Sequence, residues 1–338
     1  MFRRYTRDRC YLIAEIGGNF TTFGEAQQLI DAAAACGVDA VKLQTYRAET
    51  VASRAAVFDM ENTGVTSQFE LFRKYEIGAA LHTDIFAYAE SKGLDWFSTP
   101  SHPTDVELLE SCGVGAHKIG SDDATNLPFL RHVAKTGKPI ILSTGMCTLE
   151  EVREAVDAIV AEGNDKLVIL HAVTSYPTHP ENVNLCAMQT LMREFPGLDV
   201  GYSDHTLTPV AALCAVAMGA RMIERHFTTD KQADGPDHRL SSDPAEMKWL
   251  VDAVRSFEVM RGSGIKQPAD SEATTRINNR KSIVLRRAVT AGHRLDADDL
   301  AVKRPGTGIA PKFIDQVVGR AVVSTMEADD VLRWESLA

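Results

Sequence analysis

The 338-residue sequence contains no apolar run that approaches the roughly 18–20 residues of a membrane-spanning helix. Four arginines precede Cys10, but Glu15 soon interrupts the apolar stretch that follows, which is too short for a signal-peptide core. The six cysteines are scattered and form no CxxC pair, a pattern typical of reduced thiols in a protein of this size. These absences predict a cytoplasmic protein without a membrane partner.

Positive charge is also scarce. The net charge is −10, yet the segment from Lys281 to the end carries nine Lys or Arg against eight Asp or Glu. The first 280 residues are therefore strongly acidic, with a net charge near −11. A nucleic-acid-binding protein needs a basic face that neutralises phosphates, so this composition argues against such a partner. An anionic small-molecule substrate would have to be held by a few local cations.

Short β-rich apolar runs recur through the first ~230 residues, as expected for parallel strands that are buried on both faces. The eight runs are YLIAEIG (11–17), AVKLQTY (40–46), DWFSTP (95–100), AHKIGS (116–121), PIILSTG (139–145), LVILHAV (167–173), VGYSDH (200–205) and RMIERHF (221–227). Helical patterns lie between them, one of which opens with a capping box at Thr148 and Glu151. The alternation predicts an α/β fold, a (β/α)8 TIM barrel. A doubly wound sheet is the alternative, but no GxGxxG turn is present.

The composition changes after the last predicted barrel helix, which spans about 243–261. Residues 263–280 contain Gly, Pro and Ser without a sustained apolar period, which is typical of a linker. Residues 281–338 form short alternating runs, which predict a small β-rich domain. We therefore expect a barrel domain over 1–262, a linker over 263–280 and a small domain over 281–338.

Polar or ionisable groups end each of the eight predicted strands. The active site of a TIM barrel lies at the carboxyl ends of its strands. A barrel under selection for stability alone has no reason to place so many polar groups there, because buried polar groups cost free energy unless they are paired. The sequence therefore predicts an active site at this end of the barrel.

An ordered series of short segments resembles the sialic acid synthase family, the N-acetylneuraminate synthases and their bacterial relatives. The segments are AEIGGN (14–19), AVKLQT (40–45), STP (98–100), KIGS (118–121), ILSTGM (141–146), SYPT (175–178), GYSDHT (201–206), ERHFT (224–228), GPDH (235–238) and KRPGTGI (303–309). The resemblance implies that the small domain is an antifreeze-like SAF domain of the β-clip type. It also implies a divalent metal and a domain-swapped homodimer in which this domain covers the partner's barrel. The sequence departs from the family pattern at Phe20, Ser101 and His102, and it differs from some members at Thr174 and Asp123, which leaves the sugar acceptor open.

His205 and His226 are candidate metal ligands because they end neighbouring strands, which lie under ~5 Å apart in a barrel. Two imidazoles completed by water and substrate oxygens suit Mn²⁺ or a similar ion, such as Mg²⁺ or Co²⁺. Two structural histidines, hydrogen-bonded to Asp204 and Glu224, are the alternative. The resemblance favours the metal.

Two strand-end lysines, Lys42 and Lys118, are candidates for holding phosphoenolpyruvate together with the hydroxyls of Ser121 and Ser143. A barrel lysine can instead be a Schiff-base nucleophile, as in pyruvate lyases, and Lys118 would then act without a metal. The substrate-binding positions that accompany these four are Thr174, Tyr176, Ser203, Asp237 and, in the small domain, Arg304.

The carboxylates Glu15, Asp123, Asp204 and Glu224 are candidate catalytic groups, because a condensation followed by water attack needs groups that move protons. Asp204 is equally suited to orienting a neighbouring imidazole. The resemblance implies condensation of phosphoenolpyruvate with an N-acyl-hexosamine resembling N-acetylmannosamine, which gives a nonulosonic acid and phosphate. The alternatives are a synthase for a legionaminic, pseudaminic or spore-coat sugar acid, a Schiff-base pyruvate lyase, and a recognition module on an inactive barrel.

Overall fold

The computed structural model describes residues 4–61 and 63–338. The chain divides into two compact units, Met1–Arg261 and Gly262–Ala338. No helix in the described ranges combines the length and the apolar character that crossing a membrane requires.

The first unit is built around a closed barrel of parallel strands, which confirms the predicted fold class. The strands of the first unit, including two that lie outside the barrel, are β1 (Tyr11–Glu15), β2 (Ala40–Thr45), β3 (Val57–Met60), β4 (Gly64–Ser67), β5 (Asp95–Pro100), β6 (His117–Ile119), β7 (Ile140–Ser143), β8 (Leu167–Ala172), β9 (Asp199–Asp204) and β10 (Met222–His226). Eight of them close in the order β1-β10-β9-β8-β7-β6-β5-β2. These eight strands coincide with the eight apolar runs of the sequence.

Strand β2 illustrates why the apolar runs are nearly continuous. Val41 and Leu43 point outward and join the core between the sheet and the helices, whereas Lys42 and Gln44 point into the barrel. Both faces of a barrel strand are buried, so the sequence lacks the alternation of a half-exposed strand. The inward positions near the carboxyl end can carry polar groups, because a cavity opens there.

Ten helices of the described chain accompany these strands in the first unit. They are α1 (Phe23–Cys36), α2 (Ala48–Val51), α3 (Gln68–Tyr75), α4 (Ala79–Ser91), α5 (Pro103–Ser111), α6 (Leu127–Ala134), α7 (Leu149–Val160), α8 (Leu185–Glu194), α9 (Val210–Ala217) and α10 (Pro244–Met260). The predicted capping box at Thr148 and Glu151 opens α7. Asp243 caps α10 in the same way, and both side chains satisfy backbone N–H groups that the first helical turn leaves free.

The segment between β2 and β5 contains structure that the sequence pattern did not predict. Strands β3 and β4 pair antiparallel as a hairpin outside the barrel, with Phe58 opposite Thr66. Helix α3 follows directly, with the Ser67 hydroxyl accepting a hydrogen bond from the Glu70 N–H. The hairpin strands have four residues each, which is too short for a clear period in the sequence.

The second unit has its own apolar core around an antiparallel pair, β11 (Ser282–Leu285) and β12 (Leu300–Lys303). The buried core residues are Ile283, Leu285, Val289, Leu295, Leu300, Ile309, Val317, Val322, Leu332 and Leu337. Isolated bridges, short 3₁₀ turns and one short helix, α12 (Ile314–Val317), complete the unit. A further helix, α11 (Ala273–Asn279), lies within the segment that was predicted to be an irregular linker.

Candidate active site

A cavity of about 550 Å³ lies at the carboxyl ends of the barrel strands, where the sequence predicted an active site. Most of the candidate residues line it. These are Lys42, Lys118, Ser121, Ser143, Thr174, Tyr176, Ser203, His205, Glu224, His226 and Asp237. Glu15 lies beside this lining set, against Lys42.

The floor of the cavity is a buried cluster of two lysines and two glutamates, each at most 5 % exposed. Lys42 forms an ion pair with Glu15, and its Nζ lies 3.9 Å from Oε2 of Glu224. The Nζ of Lys118 lies 3.8 Å from the same Glu224 oxygen. Opposite charges therefore alternate across the floor, which offsets part of the cost of burying each of them.

The environment separates the pKa values of the floor groups. Burial raises the pKa of Glu15, although the ammonium of Lys42 opposes this shift. Burial also acts on Glu224, but the neighbouring charges of Lys118 and Lys42 lower its pKa overall. Burial lowers the pKa of Lys118 to about 8, whereas the charges of Glu15 and Glu224 overcome burial and raise that of Lys42. Glu15 is therefore the floor carboxyl that protonates most readily.

Hydroxyl groups surround the two ammonium groups. Lys42 donates a hydrogen bond to Thr99 Oγ1 at 2.9 Å, and Lys118 donates one to Ser143 Oγ at 2.6 Å. The hydroxyl of Ser121 accepts a hydrogen bond from the Gly145 N–H at 2.9 Å. Ammonium and hydroxyl donors lie together here, and Lys42, Lys118 and Ser143 are buried. Such a cluster suits a small anion with several oxygens.

His205 and His226 lie side by side at the ends of β9 and β10, with ring centroids 5.5 Å apart. Nδ1 of His205 lies 2.9 Å from the Val173 carbonyl oxygen, and its Nε2 lies 3.1 Å from the Tyr176 hydroxyl. Burial lowers the pKa of both imidazoles, that of His226 well below its usual value. Both rings are therefore neutral near pH 7, the form that binds metal ions.

The donor set fits a metal ion held by two imidazoles. Nδ1 of His226 is buried without a hydrogen-bond partner, and it lies 3.6 Å from a carboxylate oxygen of Asp237. Within the described chain, no group of three or more His, Cys, Asp or Glu residues is arranged around a common point. An ion at this pair would complete its coordination with water and substrate oxygens, as open sites do.

Asp237 and Tyr176 flank the two histidines. Burial, together with the charge of Glu15, raises the pKa of Asp237 to about 7. The ring of Tyr176 packs against His205, with centroids 4.3 Å apart, and burial raises the pKa of its hydroxyl well above the usual value. Tyr176 is therefore a neutral hydrogen-bonding group at the edge of the imidazole pair.

Asp204 is not among the described residues that line the cavity, and its role as a catalytic acid or base stays a prediction. Its neighbour His205 lines the cavity, but the Asp204 carboxylate forms a buried ion pair with Arg225 at 2.5 Å. Its other oxygen accepts hydrogen bonds from the Tyr202 hydroxyl and the Thr206 N–H. The ion pair joins β9 to β10 directly beside the two histidines. Asp204 is thus placed to hold the ends of β9 and β10 in position. The alternative role given from the sequence, orienting a neighbouring imidazole, is compatible with this place.

Asp123 also lies outside the cavity, whereas its neighbour Asp122 lines it. The Asp123 carboxylate accepts a hydrogen bond from the Asn126 amide at 2.9 Å, and burial raises its pKa to about 6. Asp122 is therefore the carboxylate of this pair that lines the cavity, and the catalytic role of Asp123 stays a prediction. A short 3₁₀ turn over Ser121–Asp123 decides which carboxylate faces inward. A sequence pattern does not resolve such a turn.

Two further lining residues, Gln44 and Thr99, end predicted strands but were not assigned a role. The period of two along a strand could have identified Gln44, because it must share the inward face with Lys42. Of the three departures from the family pattern, Ser101 lines the cavity. Phe20 belongs to the barrel core instead, and His102 caps helix α5.

Arg304 belongs to the second unit, where its side chain is exposed. Its guanidinium lies 3.5 Å from the Asn279 amide oxygen. Its predicted role at the sugar thus stays a prediction.

Comparisons with known proteins agree with this architecture. Residues 29–266 match the model of the NeuB family, and residues 280–338 match the SAF domain. An N,N'-diacetyllegionaminic acid synthase of Legionella pneumophila is 42 % identical over 337 residues, which cover 97 % of this chain and 94 % of that protein.

Two solved structures are also similar. The N-acetylneuraminic acid synthetase of Leptospira borgpetersenii, in complex with citrate, has a TM-score of 0.71 and 30 % identity, covering 80 % of this chain and 90 % of that one. The spore coat polysaccharide biosynthesis protein SpsE of Bacillus subtilis has a TM-score of 0.68 and 32 % identity, covering 98 % and 95 %.

Proposed function

Because the chain belongs to the NeuB family, we propose that it condenses phosphoenolpyruvate with an N-acyl-hexosamine and releases a nonulosonic, sialic-type acid and phosphate. The enzyme would be a transferase that forms a C–C bond. The observation that carries the proposal is the buried floor, where Lys42 and Lys118 lie among hydroxyl donors beside two neutral imidazoles. An anion site next to a carbonyl-binding site is what this condensation requires. The 42 % identity to a legionaminic acid synthase favours a legionaminic-type product as the second candidate.

In this reaction carbon 3 of phosphoenolpyruvate forms a bond to the aldehyde carbon of the open-chain sugar. Water adds to the cationic carbon 2, and the C–O bond to phosphate then breaks. Lys42, Lys118, Ser121 and Ser143 would hold the carboxylate and phosphate groups through charge-assisted hydrogen bonds. This binding would orient carbon 3 toward the aldehyde. The orientation lowers the entropic contribution to the activation free energy of the condensation.

The floor carboxylates would manage the protons. Oε2 of Glu224 is buried without a hydrogen-bond partner in the described chain, so it could take a proton from the attacking water. Glu15, whose pKa burial raises, would exchange protons or bind sugar hydroxyls, and its ion pair would also hold the Lys42 ammonium in place. The hydroxyl of Ser203 donates a hydrogen bond to Oε1 of Glu224 at 3.0 Å and would keep that carboxylate oriented. Asp237, Thr174 and Tyr176 would bind sugar hydroxyls at the cavity wall.

We infer that His205 and His226 hold a divalent ion, Mn²⁺ or a similar one such as Mg²⁺ or Co²⁺. The unpartnered Nδ1 of His226 and the neutral state of both rings support this inference. Such an ion supplies Lewis acidity toward an aldehyde oxygen when it is bound. The Val173 carbonyl would hold the ring of His205, and the Asp204–Arg225 pair would hold together the strands that carry the two histidines.

The test of the reaction is phosphate release from phosphoenolpyruvate with a panel of N-acylated hexosamines, including 6-deoxy-diacetamido sugars. We expect release that depends on the sugar, with a nonulosonic acid of matching mass as the second product. Release without a sugar, or no release with any member of the panel, would contradict the proposed function.

A second experiment separates anion binding from an imine mechanism. Borohydride added with pyruvate or phosphoenolpyruvate should leave the mass of the protein unchanged, because Lys42 and Lys118 both lie in ion contacts with floor carboxylates. Mass spectrometry of the intact protein and of its peptides is the measurement. A stable adduct on either lysine would move the enzyme to the Schiff-base lyase class.

We further propose that the protein works in the cytoplasm as a domain-swapped homodimer. The basis is the family resemblance and the small size of the SAF domain, which has a limited core of its own. In this arrangement Arg304 would reach the sugar that is bound in the partner's barrel. The two sites of such a dimer would be related by a twofold axis.

A further inference from the structure

The outer part of the cavity is walled by residues from the segment between β2 and β5. The rings of Tyr46, Phe58 and Phe72 form an aromatic wall, with Phe72 in contact with the other two at centroid distances of 4.9 and 5.6 Å. Val57 and Leu71 line the cavity next to them. The hairpin and helix that the sequence pattern missed thus supply an apolar surface to an otherwise polar site.

This wall contains no positive charge. In the described chain, the lining lysines of the barrel cavity are Lys42 and Lys118, and both are engaged with the floor carboxylates. No arginine of the described barrel unit lines the cavity, and the charged lining residue nearest the wall in the chain is Asp59. A phosphate group at this end would lose its hydration, and no free lysine or arginine side chain of the described barrel lining would form an ion pair with it. It would instead face a carboxylate.

The chemistry of the reaction sets the direction of the sugar. The aldehyde carbon must lie near the floor, where the imidazoles and the anion site are adjacent. The opposite end of a six-carbon open chain, carbons 5 and 6, therefore extends toward the cavity mouth. The loop after β2, the hairpin and α3 all follow the strand end, so the aromatic wall lies at that mouth.

We propose that the aromatic wall determines the acceptor, selecting an N-acylated hexosamine with an apolar methyl group at carbon 6 and rejecting one with a phosphate there. This inference rests on the proposed function, since it concerns the acceptor of that same reaction. A methyl group against aromatic rings gains from burial, whereas a hydroxyl must give up hydrogen bonds to water.

Three acceptors that differ only at carbon 6 test the proposal: 2-acetamido-2-deoxymannose, its 6-deoxy analogue and its 6-phosphate. We expect kcat/KM for the 6-deoxy sugar to exceed that for the 6-hydroxy sugar by about 10-fold, the effect of one small group in an apolar pocket. For the 6-phosphate we expect a value at least ~100-fold below that of the 6-deoxy sugar, because the lining lysines of the described barrel unit lie at the floor, where floor carboxylates engage them, and no arginine of that unit lines the cavity.

The variant Phe58→Ala removes the half-buried ring that the hairpin contributes to the wall, and it should bring the ratio of 6-deoxy to 6-hydroxy kcat/KM values to within about 2-fold. Val65→Ala is the matched control, because Val65 lies on the same hairpin, is 76 % exposed and does not line the cavity. It should keep the wild-type ratio. Comparing ratios between proteins cancels differences in the open-chain fraction of each sugar, and thermal unfolding verifies that both variants are folded.

Each outcome bears on a different statement. A preference for the 6-hydroxy sugar or the 6-phosphate overturns this inference while it supports the proposed reaction. A Phe58→Ala variant that retains the wild-type ratio also overturns it, since the selectivity would then arise elsewhere. If none of the three sugars and no 6-deoxy-diacetamido sugar releases phosphate, both the proposed function and this inference are overturned.

Discussion

Excess EDTA is expected to abolish phosphate release, and Mn²⁺ or a similar divalent ion is expected to restore it. The reason is the pair of neutral, buried imidazoles at His205 and His226, which line the cavity with ring centroids 5.5 Å apart. Without an ion the cavity offers an aldehyde oxygen only hydrogen-bond donors. A lost Lewis acid costs several kcal/mol of transition-state stabilisation, and each ~1.4 kcal/mol is a factor of ten in rate.

Single variants make the test specific to these two residues. His205→Ala and His226→Ala should each lose the bound ion, measured by elemental analysis, and lower kcat/KM by about 1,000-fold or more. His171→Ala is the matched control, because His171 is also an imidazole in a neighbouring barrel strand but hydrogen-bonds to the Val183 carbonyl outside the cavity. It should retain the ion. Full activity in excess EDTA, or full ion content in both site variants, would refute the metal assignment.

Glu15→Ala and Arg304→Ala are expected to be nearly inactive as separate homodimers, and to recover activity when their subunits exchange. Glu15→Ala leaves the buried ammonium of Lys42 without its closest carboxylate, a change that is strongly unfavourable. Arg304→Ala removes the cation that the partner's small domain is proposed to bring to the sugar. In a mixed dimer one barrel has both residues intact, because its Arg304 comes from the other chain.

Random reassortment makes about half of the dimers mixed, each with one intact site, so activity should return to roughly a quarter of the wild-type value. Steady-state phosphate release after confirmed subunit exchange is the measurement. Arg333→Ala is a suitable control, because Arg333 is an exposed arginine of the same unit with no proposed role. Its homodimer should be active. A mixture that stays inactive after exchange would mean that Arg304 serves the barrel of its own chain.

Much of the architecture could be predicted because it depends on local patterns. Apolar runs bounded by turn residues predicted the eight barrel strands, and the capping box at Thr148 and Glu151 predicted where helix α7 begins. The strand ends then predicted the cavity floor, because all parallel strands of a barrel end on one face. Lys42, Lys118 and the two histidines therefore meet in space although they are far apart in the chain.

Other features depend on which way a side chain turns at the end of a strand, and no local pattern contains that information. Asp204 and His205 are adjacent, yet one pairs with Arg225 behind the sheet and the other lines the cavity. The same holds for Asp122 and Asp123, which are adjacent in one 3₁₀ turn although only Asp122 lines the cavity.

The sequence by itself thus determined the barrel, its following small domain and the residues of the cavity floor, because strand periodicity and strand ends are local properties. Only the tertiary structure decided the partners of each carboxylate and the nature of the outer wall. Phe58 and Phe72 read as ordinary apolar residues in the sequence, and they become a binding surface only because the hairpin and helix α3 lie over the cavity mouth. That placement depends on contacts between distant segments, which packing rather than local propensity decides.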